Sequence, residues 1–303
     1  MAYAQGVNQN TYIKPEGVDG ALDPAVAWIP LRLISNGLSQ TVEELESDEM
    51  LPGRHMAESR SGVSSVTGDM EAELTFGTFD LLLEAAFHGT WTGDVLTTGS
   101  VRRKFAVLKQ NEDIGRSQIY RGCEVGTVTI DCPLQSKIGV TFSLIGTKEE
   151  AYVVDPAETL AEPTDTVMMT TFEGSLFEGG TGLNHATALS ITLENGMEAI
   201  YRLFSRDAYD IKLGRINVNG SLSAYIEDDR LKEKYRGETK TALVVTLTDG
   251  ENSYEIAMNR AKLTSSSEEG TGDDPIIQSY DYRAFNDTTA GSEITITRIP
   301  AAP

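Results

Sequence analysis

Two long stretches of the chain alternate small or apolar residues with polar ones. In residues 62–74, GVSSVTGDMEAEL, the even positions are mostly small or apolar, whereas the odd positions include Asp69, Glu71 and Glu73. The same design returns in residues 214–226, GRINVNGSLSAYI, at an offset of 152. A period of two predicts a β-strand with one face in a core and the other in water.

A short helix is predicted after each of these strands. The first, in TFDLLLEAAFHG, is expected to be capped by Thr78 and to end at Gly89. The second, in EDDRLKEKYRG, is expected to be capped by Asp228 and to end at Gly237. The order strand, helix and further strands therefore occurs twice.

The remaining strands are predicted at corresponding places in the two halves. They are 101–111, 117–131 and 138–145 in the first half and 239–249, 253–263 and 276–284 in the second, with upstream strands starting at Ala27 and Ala186. The fold class is α+β, mainly β, with two copies of one module, each flanked by one helix. The predicted organisation is an N-terminal arm (1–23), module 1 (24–150, with a long loop at 38–62), a linker (151–185) and module 2 with a short tail (186–303).

The charge of the chain limits its partners. It has 46 acidic residues against 25 basic ones, so its surface is expected to repel nucleic acid rather than bind it. The alternative interpretation is that the excess of acidic residues only keeps the protein soluble. The chain has no apolar run of about 20 residues, and its N-terminus lacks the charged start and apolar core of a signal peptide. A soluble protein made in a cytosol, without membrane contact, is expected.

Residues that could carry chemistry are few. The three histidines (His55, His88 and His185) have no ligand at metal-binding spacing. Cys123 and Cys132 are nine residues apart in a predicted strand, so they are expected on opposite faces as free thiols. GGTG at 179–182 lacks the lysine and the helix of a phosphate loop and predicts a turn. The acidic pairs at 149–150, 228–229 and 273–274 suit caps and turns, so neither an active site nor a cofactor is expected.

The chain resembles the major tail tube proteins of long-tailed, siphovirus-type bacteriophages. The likeness lies in GDMEAELTFGTFDLLLEAAFHGTW, in YRGCEVGTVTIDCPLQSKIGVTFSLIG and in DIKLGRINVNGSLSAYIEDDRLKEKYRG with SYEIAMNRAKL and IIQSYDYRAF. These segments are distributed over residues 68–285, and the resemblance extends over most of residues 24–298. The order of elements carries the resemblance more than any single motif.

The resemblance implies a structural role. Tail tube proteins fold as a β-sandwich or split barrel with a flanking helix, and their inner sheets join into closed rings that stack into a conduit for DNA. A duplicated module implies rings of three chains with pseudo-sixfold symmetry, with six chains per ring as the alternative. The implied partners are further copies of the chain, the tape measure, terminator and distal tail proteins, and genomic DNA that passes without specific binding. The implied location is the virion tail, after synthesis in the host bacterial cytoplasm.

Two groups of residues are candidates for function. Asp69, Glu71 and Glu73, which we call the acidic stripe, are expected either to face the lumen or to form a subunit contact. The acidic stripe is not repeated in the second half, where the corresponding positions are Ser221, Ser223 and Tyr225. The loop at 38–62 has no counterpart in the second half by sequence, and by resemblance it reaches the adjacent ring. Its candidate contact residues are Glu43, Glu44, Glu46, Asp48, Arg54 and Glu58.

Two other functions remain open at this point. The first is another virion or secretion-tube component built on the same module, such as a tail terminator or a tube-initiating protein. The second is an acidic carbohydrate-active or metal-dependent enzyme whose carboxylates are not paired by sequence. Long hollow tubes in electron micrographs favour the tail tube, isolated rings favour the other component, and monomers with hydrolase activity favour the enzyme.

Overall fold

The computed structural model describes residues 3–17, 19–49, 58–154, 158–270 and 272–301. The first part contains β1 (Gln9–Pro15), β2 (Ile29–Leu31), β3 (Ser35–Asn36), β4 (Ser39–Glu46), β5 (Ser59–Glu73), α1 (Asp80–Ala86), β6 (Val95–Thr97), β7 (Phe105–Asn111), β8 (Arg116–Pro133), β9 (Gly139–Gly146) and β10 (Lys148–Ala151). The second part contains β11 (Gly174–Glu178), β12 (Thr181–Gly182), β13 (Ala186–Glu194), β14 (Glu198–Ile200), β15 (Asp210–Lys212), β16 (Asn217–Tyr225), α2 (Arg230–Arg236), β17 (Thr241–Thr248), β18 (Ser253–Leu263), β19 (Ser267–Glu269), β20 (Ile277–Ala284) and β21 (Thr295–Ile299).

One run of antiparallel strands crosses both halves of the chain. Its order is β4–β5–β9–β8–β13–β16–β20–β19, with the short β3 continuing the edge of β4 along β5. We call this run the polar sheet, because one of its faces carries mainly polar side chains. The two halves join within it, where β8 pairs with β13 over residues 127–133 and 188–194.

Two outer sheets lie behind the polar sheet and share strands with it. The first is β1–β7–β8–β10, and the second is β11–β17–β18–β21. Both contain a register shift at the same relative place, between Phe105 and Val107 in β7 and between Thr241 and Leu243 in β17. The two halves therefore pair their strands in the same order, down to one irregularity.

The core fills the space between the polar sheet and the outer sheets. It takes the inward residues of β5 and β9, such as Met70 and Phe142, and those of β13 and β20, such as Ile191 and Tyr280. One hydrophobic cluster contains residues of both halves and the buried side of α1, including Leu83. Burial of this surface is the main stabilising contribution to a β-sandwich of this kind.

The two predicted helices are present, but the first begins differently from the prediction. The residue before α1 is Phe79, and its side chain makes no capping hydrogen bond to the first turn of the helix. The hydroxyl of Thr78 instead lies 2.7 Å from that of Thr75. Asp80 is the first residue of α1 and forms an ion pair with Arg298 (2.7 Å), which ties this helix to the end of the second half.

The segment predicted as a long loop at 38–62 is largely a β-hairpin. β4 pairs with β5 from Ser39 opposite Thr67 to Glu46 opposite Ser59. The prediction of a loop was wrong here because the glutamates at its start have low strand propensity, whereas the ladder with β5 decides the structure. We call residues 39–49 and 58–67 the first hairpin.

The first hairpin has a counterpart in the second half, contrary to the sequence analysis. Residues 195–216 leave β13, form the small sheet of β14 and β15, and return as β16. We call this segment the second hairpin. It occupies the same place between corresponding strands as the first hairpin, although the amino-acid sequences of the two hairpins differ.

The predicted N-terminal arm and linker contribute strands to the fold. β1 lies within residues 1–23 and pairs with β7 over seven positions, and β11 lies within residues 151–185 and pairs with β17. The linker also contacts the first half, where the backbone N–H of Trp28 donates to the carbonyl of Thr159 (2.9 Å). The buried ammonium of Lys14 lies 3.2 Å from the carboxylate of Glu158.

A register shift also changes the placement of the cysteines. β8 is irregular between Val125 and Thr127, so the alternation of its side chains changes phase there. Cys123 is fully buried and Cys132 is half-buried, and both lie on the core side rather than on opposite faces. Both thiols are free, and burial raises the pKa of Cys132 to about 12.

Candidate functional site: the polar face and its flanking hairpins

The polar face follows directly from the alternation of residues along each strand. On β5 the residues Val66, Met70 and Ala72 are buried, whereas Asp69 and Glu71 are exposed. The same alternation holds on β9, β13, β16 and β20. The outward residues in the middle of the sheet are Ser143, Thr141, Thr127, Thr129, Ser190, Thr192, Asn219, Ser221, Ser223 and Ser279.

The junction between the halves keeps this face continuous. β8 and β13 pair over seven positions, with Thr129 opposite Thr192 and Ile130 opposite Ile191. The two threonine hydroxyls lie 3.2 Å apart on the polar face, and the two isoleucines are buried in the core. An edge-to-edge contact between the two halves is therefore present within one chain.

The three predicted acids lie together on β5. Ser35 donates a hydrogen bond to Glu71 (3.0 Å), and Lys137 forms an ion pair with Glu73. Glu73 is thus partly neutralised, whereas Asp69 and Glu71 face solvent. The side chains lie on the polar face, where both the lumen and the subunit-contact interpretations require them.

The second half carries its acid on a different strand. Ser221 takes the place that Asp69 has on β5, but its partner on β20 is Asp281, whereas the partner of Asp69 on β9 is Ser143. Further acids on the face are Asp131, Glu194 and Glu269, and the bases are Lys137 and Arg283. Net negative charge is therefore distributed over both halves, which the sequence comparison of β5 with β16 did not reveal.

The candidate residues of the first hairpin lie apart from this stripe. Glu43, Glu44 and Glu46 are exposed along β4, and Asp48 and Glu58 are exposed beside its end. Arg54 lies outside the described residues. Within the described residues β4 pairs with β5 alone, so its other edge is unpaired.

The second hairpin folds back on the first half of the same chain. The backbone N–H of Ser64 donates to the carbonyl of Arg206 (2.8 Å), and the hydroxyl of Ser64 donates to Asp207 (2.7 Å). Tyr201 donates to the carbonyl of Ser64 (3.1 Å). The sequence analysis missed this contact, and no local pattern signals it, because the residues that meet are 137 to 143 positions apart along the chain.

A cluster of charges fixes the base of the second hairpin. Asp210 lies 2.7 Å from Lys104 and 3.1 Å from Arg102. Arg102 also pairs with the buried carboxylate of Glu124 (2.6 Å) and donates to the carbonyl of Ile211 (2.6 Å). Burial opposes ionisation of Asp210, but hydrogen bonds from Lys104 and Arg102 outweigh it and hold the pKa of Asp210 well below its ordinary value.

The histidines that the structure describes lie in surroundings that fit a structural role. Burial lowers the pKa of His88, whose ring contacts the carbonyl of Ala86. His185 lies 3.1 Å from Glu227, and His55 lies outside the described residues. No group of three metal-ligating side chains occurs among the residues that the structure describes. None of the helices in the described part of the chain has the length and apolar character needed to cross a membrane.

The comparisons with known proteins agree with this geometry. Residues 6–284 match the model of a family described as phage tail tube protein. No curated protein matches the chain. The family match includes the polar sheet up to the end of β20, together with both hairpins.

Proposed function

This chain belongs to the phage tail tube protein family, and from that premise we propose that three copies close into a ring whose polar face surrounds the passing DNA. Membership makes the protein a structural, non-enzymatic component of the virion tail that assembles with other tail proteins. The single observation that supports ring closure best is the junction of β8 with β13. It is a module-to-module contact formed by strand edges, and the chain has two further edges at which it can be repeated.

The two halves act as copies of one module. The pair Val66–Gly146 in β5 and β9 corresponds to Val218–Ala284 in β16 and β20. Shared register shifts extend this correspondence to β7 with β17 and to β8 with β18 and β19. A duplicated module supplies two quasi-equivalent positions in a ring from each chain.

The unpaired edges are complementary in position. β4 lies at one end of the polar sheet and β19 at the other, and each pairs on one side only within the described residues. Transfer of the β8·β13 register to these edges places Ser39 opposite Ser267 and Thr41 opposite Ser265 of the next chain. All four residues then lie on the polar face, so that the face continues from chain to chain. Closure also removes edges that would otherwise promote aggregation.

The size of such a ring suits a DNA conduit. Eight strand positions per chain give about 24 in a ring of three, and at about 4.8 Å per strand with a tilt of about 40° the backbone cylinder is roughly 48 Å across. Side chains narrow this opening but leave room for duplex DNA. The polar face carries more acidic than basic side chains, so it offers the phosphates of DNA no cluster of positive charge to bind.

We expect native mass spectrometry of assembled rings to give three chains per ring. The reason is that each chain already contains one module junction, so three chains supply six modules and three further junctions. Averaged electron micrographs should show threefold symmetry with a pseudo-sixfold outline. Six chains per ring would contradict the proposal, and so would a monomer that forms neither rings nor tubes when concentrated.

The segment between the two strands of the first hairpin, residues 48–57, is proposed to contact the adjacent ring. Replacing residues 48–57 by a short Gly-Ser turn keeps Ser47 and Glu58, whose backbones are hydrogen-bonded at 2.9 Å. We expect the variant to fold and to form rings but to stack into tubes at least about tenfold less, because one lost contact of about 1.4 kcal/mol already changes an equilibrium by that factor. Tubes of normal length, seen by electron microscopy, would contradict this role.

A further inference from the structure

The charged cluster that holds the second hairpin has a counterpart in the second half, but among the described residues that counterpart lacks the acid that Asp210 supplies in the first half. The strand registers match Arg102, Lys104 and Glu124 with Glu238, Lys240 and Lys262. Each set contains two bases and one acid, with one acid and one base exchanged between strands. In the second half Lys262 pairs with Glu238 (2.9 Å), whereas Lys240 is exposed and forms no ion pair with any described residue.

The difference between the two clusters is the acid supplied by a hairpin. In the first half Asp210 lies between Lys104 and Arg102 and brings the second hairpin onto the module that precedes it. In the second half no described carboxylate takes this place beside Lys240. In the proposed ring, the module beside the second half is the first module of the next chain.

The first hairpin of that next copy has the required charge and position. Ser64 and Ile216 are matched through β5 and β16, and Glu58 precedes Ser64 by the same six residues by which Asp210 precedes Ile216. Glu58 is exposed, and Glu43, Glu44 and Glu46 add negative charge to the same hairpin. Glu58 therefore takes the position that corresponds to Asp210, and Lys240 takes the position that corresponds to Lys104. In the first half these two positions form an ion pair.

We infer that the base of the first hairpin docks on the second half of the neighbouring chain in the same ring, with Glu58 beside Lys240 and Lys262. This inference rests on the proposed ring and adds a lateral clamp to its strand junctions. It gives the base of the hairpin a role within a ring, while the segment 48–57 between its strands is the part assigned to the adjacent ring. The partner is a second copy of this chain, and the recognised group is a carboxylate.

Cysteine cross-linking tests the contact directly. A chain with Glu58→Cys and Lys240→Cys should form disulfides between chains under mild oxidation of assembled rings, and the ladder of products should end at the number of chains in one ring. The pair Lys104→Cys with Asp210→Cys is the matched control, since its link forms within one chain and leaves a monomer. The unsubstituted chain controls for Cys123 and Cys132.

The outcomes separate the inference from the proposed function. Assembled rings without cross-links overturn the inference, and so does a ladder that continues beyond one ring, because it places the contact between rings. Failure of the unsubstituted chain to form rings overturns the proposed function instead.

A charge exchange provides a second test. Lys240→Glu should lower ring formation about tenfold by placing like charges together, and Glu58→Lys added to Lys240→Glu should restore it. Arg116→Glu changes the charge equally at an exposed site outside the contact and should assemble normally. Equal assembly of Lys240→Glu and the unsubstituted chain, or no recovery in the exchanged variant, would overturn the inference.

Discussion

A chain carrying Gln40→Pro should fold as a soluble monomer and fail to close into rings. The N–H of Gly37 donates to the carbonyl of Asp69 on β5 (2.8 Å), so the alternation of an antiparallel ladder turns the N–H of Gln40 away from β5. Proline at this position removes the donor offered to the next chain and preserves the pairing of β4 with β5. The transferred register places Ser266 opposite Gln40, as Val128 lies opposite Leu193 in the observed junction.

The expected loss of assembly is large because it recurs at every junction. An unmade backbone hydrogen bond costs about 1–3 kcal/mol, and each 1.4 kcal/mol changes an equilibrium about tenfold, so three junctions lower ring formation by at least about 100-fold. Native mass spectrometry and electron microscopy measure the rings, and circular dichroism checks the fold of the monomer.

Two further variants make this result interpretable. Gln40→Ala keeps the backbone donor and should assemble as the unsubstituted chain does. Ser266→Pro alters the opposite edge and should reproduce the defect independently. Rings of normal width from Gln40→Pro would show that β4 is not a ring-forming edge.

Reversal of the acidic stripe should slow DNA ejection without preventing assembly. Fixed positive charge in the channel binds phosphates by releasing counterions, whereas an acidic or neutral wall lets DNA slide. We expect Asp69→Lys, Glu71→Lys and Glu73→Lys together to slow ejection about tenfold or more at low salt. Added salt should relieve the defect, because it shortens the screening length.

The surroundings of each acid refine this experiment. Glu73 pairs with Lys137, so its reversal places two cations together, whereas Asp69→Lys with Glu71→Lys avoids that repulsion. The neutral variants Asp69→Asn and Glu71→Gln keep the size of the side chains and should eject DNA at nearly the normal rate. Release of DNA from triggered particles at several salt concentrations provides the measurement.

Each outcome identifies the surroundings of the stripe. If the double reversal fails to assemble, these carboxylates lie at a subunit contact. If it assembles and ejects DNA at the normal rate in low salt, the polar face does not line the channel.

Local pattern was sufficient for the strands of the recurring segments and for the presence of both helices. The strand predicted at 253–263 coincides with β18, and the one predicted at 276–284 differs from β20 by one residue. Such elements could be predicted because alternation of side chains is a local property of an extended chain. The acids Asp69, Glu71 and Glu73 were assigned to one exposed side of a strand for the same reason.

Properties that depend on pairing could not be predicted in this way. The alternation of β8 changes phase after Val125, and this shift brought Cys132 to the core side. The glutamates of β4 disfavour a strand, yet the ladder with β5 forms one. Thr78 has a good capping side chain, but a neighbouring threonine hydroxyl engages it instead.

By itself the sequence determined a mainly β chain with a recurring strand pattern and one acidic strand face, because composition and periodicity are readable one segment at a time. Only the tertiary structure decided which edges meet. It joined β8 to β13, left one edge of β4 and one edge of β19 unpaired within the described residues, and placed Asp210 between Lys104 and Arg102. These contacts connect residues that are distant along the chain, and their register depends on the whole sheet rather than on any local pattern.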